Sequence, residues 1–160
     1  MAKSFEEMVS GVIQREGGSK ITRDPDDPGG TTKYGIAQRS HPDVDVENLT
    51  YEQAVDIYKK KYWVQAKVEK LPATIQEVYF DMVVNAGYRR GVKILQEAAN
   101  AKGANLVIDG KLGPMTLKAV KNVEPDRLRA YRALYYAKLC TKKPILFKYY
   151  YGWFRRTIEV

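Results

Sequence analysis

Residues 16–36 read EGGSKITRDPDDPGGTTKYGI. A carboxylate, Glu16, is followed by Gly17-Gly18, an Asp/Pro run, Gly29-Gly30, two threonines and Tyr34-Gly35-Ile36. The pattern before this stretch is helical. Phe5, Met8, Val9, Val12 and Ile13 recur at i, i+3, i+4, i+7 and i+8, which makes one buried face of a helix over residues 5–16. Ser4 is its N-cap, and Glu7 completes a Ser-x-x-Glu capping box. Glu16 lies three turns beyond Phe5 and extends the apolar stripe, and Gly17-Gly18 then stop the helix. From residue 17 onward the periodicity vanishes. Pro25, Pro28, Gly29 and Gly30 make turns, and Thr31–Ile36 reads as a short strand or hairpin arm. A loop of this length in a small domain is functional or disordered, and Tyr34 and Ile36 at its end argue against disorder.

Outward from this stretch the chain is a succession of helices. Thr50 caps a helix over residues 49–63, with Gln53 three residues on. Pro72 opens the next, in which Ile75, Val78, Tyr79, Met82 and Val83 form the apolar face. Another spans residues 90–101. Asp109-Gly110 supplies a turn, and Pro114 starts a helix to about residue 122. Pro125 starts a helix with Leu128, Tyr131, Tyr135 and Leu139 on one face, and Pro144 starts the last, to about residue 158. Seven helices and at most a short hairpin around residues 20–36 define an all-α class.

The 160 residues fit one domain, or one with a small appendage, and suffice for a core without disulfides. One cysteine, Cys140, precludes an intramolecular disulfide, and one histidine, His41, leaves no basis for a His/Cys zinc site. No metal or cofactor is expected. His41 sits in a polar HPDVD segment without a nucleophile motif, which sets aside a Ser-His-Asp system. Residues 1–18 lack an apolar signal-peptide core, so synthesis in the cytoplasm without a signal peptide is expected. The net charge of +8 is uneven: residues 1–80 carry −2 and residues 81–160 carry +10. A basic surface of this kind recruits polyanions, such as an acidic wall polymer. With no helix-turn-helix or aromatic RNA-binding motif, nucleic acid is not the expected partner.

The chemistry belongs to the opening stretch. A carboxylate on the apolar side of a helix, near the negative end of its dipole, is favoured in the protonated form. A general acid needs that form, and cleavage of a glycosidic bond needs such an acid to protonate the leaving oxygen. It also needs a second carboxylate, as nucleophile or to activate water. Asp24, Asp26 and Asp27 are the candidates, brought back toward Glu16 by the glycine turn. Thr31 or Thr32 is placed to hold a water or a sugar hydroxyl.

The segment EGGSKITRDPDDPGGTTKYGIA resembles the signature of glycoside hydrolase family 108, in which Glu-Gly-Gly precedes an Asp-Pro-rich turn and Gly-Gly-x-Thr-x-x-Gly-Ile. YFDMVVNAGYRRGVKILQEAAN and VIDGKLGPMT resemble the predicted peptidoglycan domain that accompanies it. YYYGWFRR resembles that domain's closing Gly-Trp-x-x-Arg. The resemblance covers roughly residues 5–157. It implies a lysozyme-like helical fold, with a catalytic region over residues 1–88 and a peptidoglycan-binding region over residues 89–160, packed as one compact unit. It implies an N-acetylmuramidase of the endolysin type, cleaving the β-1,4 bond between N-acetylmuramic acid and N-acetylglucosamine, and it carries the catalytic acid onto Glu16. The related phage lysozymes space an Asp and a Thr six residues apart, as Asp26 and Thr32 are here. The gap from Glu16 to Asp26 is one residue longer than in those enzymes, and Asp27 follows Asp26 as second choice.

Tyr34, Tyr79, Asp81, Asn85 and Tyr88 are the expected substrate contacts: rings to stack on sugar faces, and polar groups to take an N-acetyl or hydroxyl group. The expected partners are peptidoglycan glycan strands and, for delivery to the wall or periplasm, a holin or an export partner. The protein is expected to be monomeric. The alternatives on the same fold are a lytic transglycosylase and a non-catalytic peptidoglycan-binding protein.

Overall fold

A computed structural model describes residues 2–26 and 30–160. The chain falls into two compact units, residues 3–61 and residues 62–160.

The first unit opens with α1 (Phe5–Arg15). Its capping box is formed in both directions: the Ser4 hydroxyl accepts the Glu7 N–H, and the Glu7 carboxylate accepts the Ser4 N–H. Met8, Val9, Val12 and Ile13 are buried, as their spacing predicts. The helix ends one residue short of the expected Glu16, which is its C-cap. The chain then reaches a hairpin of β1 (Thr32–Lys33) and β2 (Ile36–Ala37), paired antiparallel with Thr32 opposite Ala37 and Lys33 opposite Ile36. Thr22 bridges Thr32 through reciprocal N–H to C=O bonds, so the earlier arm meets the hairpin at one residue. The hairpin therefore occupies residues 32–37 instead of the wider expected 20–36. Residues 38–49 are held by the Gln38 side chain. Its amide donates to the carbonyls of His41 and Val44, and its oxygen accepts the Val46 N–H. His41 is buried against the Ala37 carbonyl, a structural place. The unit ends in α2 (Tyr51–Tyr58), capped reciprocally by Thr50 and Gln53.

The expected 49–63 helix is α-helical only to Tyr58. Lys59–Val64 continue as a π-helical stretch, the wider winding that accommodates an extra residue. The second unit holds α3 (Ala73–Ala86), α4 (Tyr88–Ala101), α5 (Pro114–Ala119), α6 (Pro125–Lys142) and α7 (Phe147–Glu159). Helix α3 packs on α4 and α6, and α6 packs on α7. This packing draws α3 into the second unit. Among the described residues the fold is seven α-helices with one two-stranded hairpin, an all-α architecture.

The buried row of α6 differs from the expected one. Leu128 is shared, but the row continues through Arg132, Tyr136 and Cys140, while Tyr131, Tyr135 and Leu139 are half-buried. The cause is Asp81 on α3, which is fully buried. Arg132 donates to its Oδ2 at 2.7 Å, and Arg156 of α7 grips both of its oxygens at 3.0 Å. A buried arginine is tolerable only with such compensation, and hydropathy periodicity cannot anticipate it. The same lock accounts for the closing Gly-Trp-x-x-Arg: Arg156 holds Asp81, and Trp153 stacks on Tyr136 with ring centroids 4.9 Å apart.

Candidate active site

Glu16 is half-buried at the end of α1, its N–H still bonded to the Val12 carbonyl at 3.0 Å. Gly17 and Gly18 both take positive φ, and the Gly18 N–H closes the helix on the Ile13 carbonyl. The hairpin is anchored to this helix end. Its two-residue loop, Tyr34-Gly35, has φ of 53° and 77°, the paired positive values of a type I′ turn. The Tyr34 N–H donates to the Gly18 carbonyl at 3.0 Å. The Tyr34 carbonyl accepts the hydroxyl of buried Tyr58 at 2.8 Å. Tyr34 is thus tied through its N–H to the glycine stop that follows α1 and through its carbonyl to α2.

Gly35 is where this arrangement touches the acid. A Cβ at Gly35 would lie 2.3 Å from the Tyr58 hydroxyl and 2.5 Å from Glu16 Cβ. Only glycine lets the turn close over the stem of the Glu16 side chain. The Gly-Ile of the sequence signature therefore has a physical meaning: it fixes the carboxylate at the helix end. With Glu16 in its expected role of general acid, Gly35→Ala should lower wall-clearing activity about a hundredfold, because a displacement of an ångström is costly. Gly17→Ala is the control. That residue also has positive φ, but nothing lies within 4 Å of its added Cβ. It should strain the backbone without the clash, and turbidity clearing by the two variants at equal folded concentration separates the effects.

The structure places the remaining expected residues as follows. Asp26 is exposed, and its N–H donates to Asp24 Oδ1 at 3.0 Å, closing a tight turn. That bond engages Asp24, whereas the Asp26 carboxylate has no hydrogen bond or ion pair among the described residues. Asp27 lies outside the described residues. Thr32 is half-buried in β1. Its backbone is used by the sheet, and its hydroxyl has no hydrogen bond among the described residues. Tyr34 is half-buried, edge-on to Tyr51 with centroids 5.9 Å apart, and the Lys33 ammonium lies 5.4 Å from its ring centroid.

In the second unit, two expected substrate contacts are reassigned. Tyr79 and Asp81 are both fully buried. The Tyr79 hydroxyl donates to the Ala66 carbonyl at 2.9 Å, and burial, with a lesser contribution from Tyr88, pushes its ionisation far upward, so it remains a donor. Asp81 neutralises two arginines. Neither side chain is open to a sugar. Asn85 is half-buried, and its Oδ1 accepts the hydroxyl of Tyr136 and a weaker bond from Arg132. The half-buried Tyr88 hydroxyl accepts the Leu112 N–H at 3.4 Å, tying α4 to the following turn.

The residues that order this turn escape sequence reasoning. Gln96, buried on α4, accepts the Gly110 N–H, and its amide faces Asp109 Oδ1, the Lys111 carbonyl and the Thr116 hydroxyl. The Gln96 amide, with the Lys111 N–H, holds the Asp109 carboxyl below the usual carboxylate range. The Asp-Gly-x-x-Gly-x-x-Thr element is thus a turn wrapped on a buried glutamine. The only sequence signal was a polar residue inside an apolar helix face.

A groove of about 620 Å³ in the first unit is lined by Asp43, Asp45, Asn48, Glu52 and Asp56, among others, and does not include Glu16. Its four carboxylates would repel an anionic polymer, so concavity alone does not mark the site. No group of three or more His, Cys, Asp or Glu side chains among the described residues is arranged to hold a metal ion.

A fold of seven helices and one short hairpin among the described residues is of the lysozyme-like class. Residues 9–87 match the glycosyl hydrolase 108 family model, and residues 90–158 match the predicted peptidoglycan domain. The chain thus carries a glycosyl hydrolase 108 domain followed by the predicted peptidoglycan domain. Among solved structures it is similar to that of Brucella abortus SagA, with a TM-score of 0.76 and 27% identity over 97% of this chain and 90% of the other. No curated protein matches significantly. The two domains together define a peptidoglycan hydrolase.

Proposed function

We propose that the protein is an N-acetylmuramidase that hydrolyses the β-1,4 bond between N-acetylmuramic acid and N-acetylglucosamine, with Glu16 as general acid. The observation that carries this reading is the closure of the Tyr34-Gly35 turn over the Glu16 stem. That closure fixes one carboxyl at the terminus of α1, where it can deliver a proton to a leaving sugar oxygen. Bond cleavage then leaves positive charge on the ring, which a second carboxylate stabilises directly or by activating water. Asp26 is favoured for that role over Asp24 because its carboxylate has no partner among the described residues, while Asp24 is engaged in the turn. The hydroxyl of Thr32, without a hydrogen bond among the described residues, suits a bound water. Action is placed at the wall or periplasm, reached from the cytoplasm with a holin or an export partner.

Mass spectrometry of the muropeptides released from purified walls tests the reading. The expected products end in reducing N-acetylmuramic acid, with one water added per cut. Reducing N-acetylglucosamine ends would reassign the bond, and anhydro ends would make the protein a lytic transglycosylase.

A further inference from the structure

Helix α7 carries two faces, and packing within its unit explains one. Trp153 stacks on Tyr136, Arg156 grips Asp81, and Thr157 and Val160 are buried. Phe147, Tyr151, Phe154 and Ile158 form the second face. At 3.6 residues per turn they fall within an arc of about 60°, and they are 53%, 69%, 40% and 55% exposed. Ile145, in the turn before the helix, is 73% exposed and extends the same stretch of chain. A solvent-facing helix side is normally polar, and large apolar side chains exposed together mark a contact surface.

The charges around this stripe select its occupant. Residues 127–160 contain nine Lys+Arg and a single carboxylate side chain, Glu159. Lys148 and Arg155 lie next to the stripe on the helix. Lys142 and Lys143 precede it, and no ion pair engages Lys142, Lys143 or Lys148 among the described residues. A second copy of this segment would bring like charges together. A glycan strand would use stacking faces and hydrogen bonds, and Ile145 and Ile158 offer neither. Aromatic and aliphatic side chains beside lysines suit the boundary between anionic headgroups and acyl chains. No helix among the described residues is long and apolar enough to cross a membrane, so the mode is adsorption in the interface.

We propose that the exposed face of α7 is a docking surface for an anionic lipid membrane, which it enters with Phe147, Tyr151 and Phe154 while the flanking lysines meet the headgroups. The proposal is independent of which bond the enzyme cleaves. Co-sedimentation of the full chain with vesicles of phosphatidylglycerol and phosphatidylcholine in equal parts is expected to exceed that with pure phosphatidylcholine vesicles by about tenfold or more. The triple variant F147S/Y151S/F154S should lose most of that binding, and its clearing of purified walls should match the wild type because these side chains are outside the catalytic machinery. Binding to neither vesicle, or binding undiminished in the triple variant, would overturn the proposal. So would a concentration-dependent dimer that the triple variant abolishes, since the face would then belong to a second copy. Circular dichroism of the variant guards against misfolding. If it fails to fold, the single variant Y151S, at the most exposed of the three rings, must show a partial loss of vesicle binding for the proposal to stand.

Discussion

Replacing Glu16 by Gln is expected to lower wall-clearing activity by about 10²–10⁴-fold, the range a positioned general acid contributes. Glutamine matches glutamate in size and still fills the space beside Gly35, so the fold should survive with a stability change within about 0.5 kcal/mol. The stem that packs against the turn, Cβ and Cγ, is the same in both residues. What is lost is the proton that must reach the leaving oxygen as the sugar bond breaks. Reducing-sugar release from purified peptidoglycan, measured on variant and wild type at equal folded concentration, decides the matter. Substantial residual activity would remove Glu16 from the acid role and leave the helix end a structural feature. Asp26→Asn and Asp24→Asn extend the test to the partner. Loss of activity in the first with retention in the second would match an Asp26 carboxylate with no partner among the described residues and the engaged Asp24. The reverse would reorder them.

The parts of this site that were legible in the sequence are those governed by local rules. The capping box of α1, its buried face and the glycine stop follow from spacing within one helix, and all are present. The hairpin was legible as a tendency of Thr31–Ile36. Its function was not, because the clash that excludes a Cβ at Gly35 comes from Tyr58, more than twenty residues away, and from Glu16. Tyr79 and Asp81, two of the substrate contacts expected on α3, are buried for a related reason. Tyr79 lies on the apolar stripe, which already argued for the core. Asp81 is a carboxylate on a helix with an otherwise apolar face, and its partners lie 51 and 75 residues further along the chain. Read locally, such a residue looks like a binding group. Read with Arg132 and Arg156 beside it, it is the charge that lets three helices meet.

That lock gives a large stability effect for a single substitution in the second unit. Asp81→Ala should cost about 3–5 kcal/mol, the range for removing one partner of a buried ion pair. The reason is what remains. The Arg132 side chain is 1% exposed, and its Nε and one terminal nitrogen have no hydrogen-bond partner among the described residues, so its charge depends on Asp81 and weakly on Asn85. The Arg156 side chain is 13% exposed and has some access to solvent. Arg156→Ala should therefore cost less than Asp81→Ala, because Asp81 keeps Arg132. Urea unfolding of the two variants, followed by far-ultraviolet circular dichroism, gives the ranking. Asp81→Asn separates this structural role from the substrate contact suggested by sequence. It keeps the shape and removes the charge, so stability should fall while activity per folded molecule stays at the wild-type level. A raised KM with undiminished stability would instead mean that Asp81 meets the glycan strand, and that α3 opens in solution far enough to expose it.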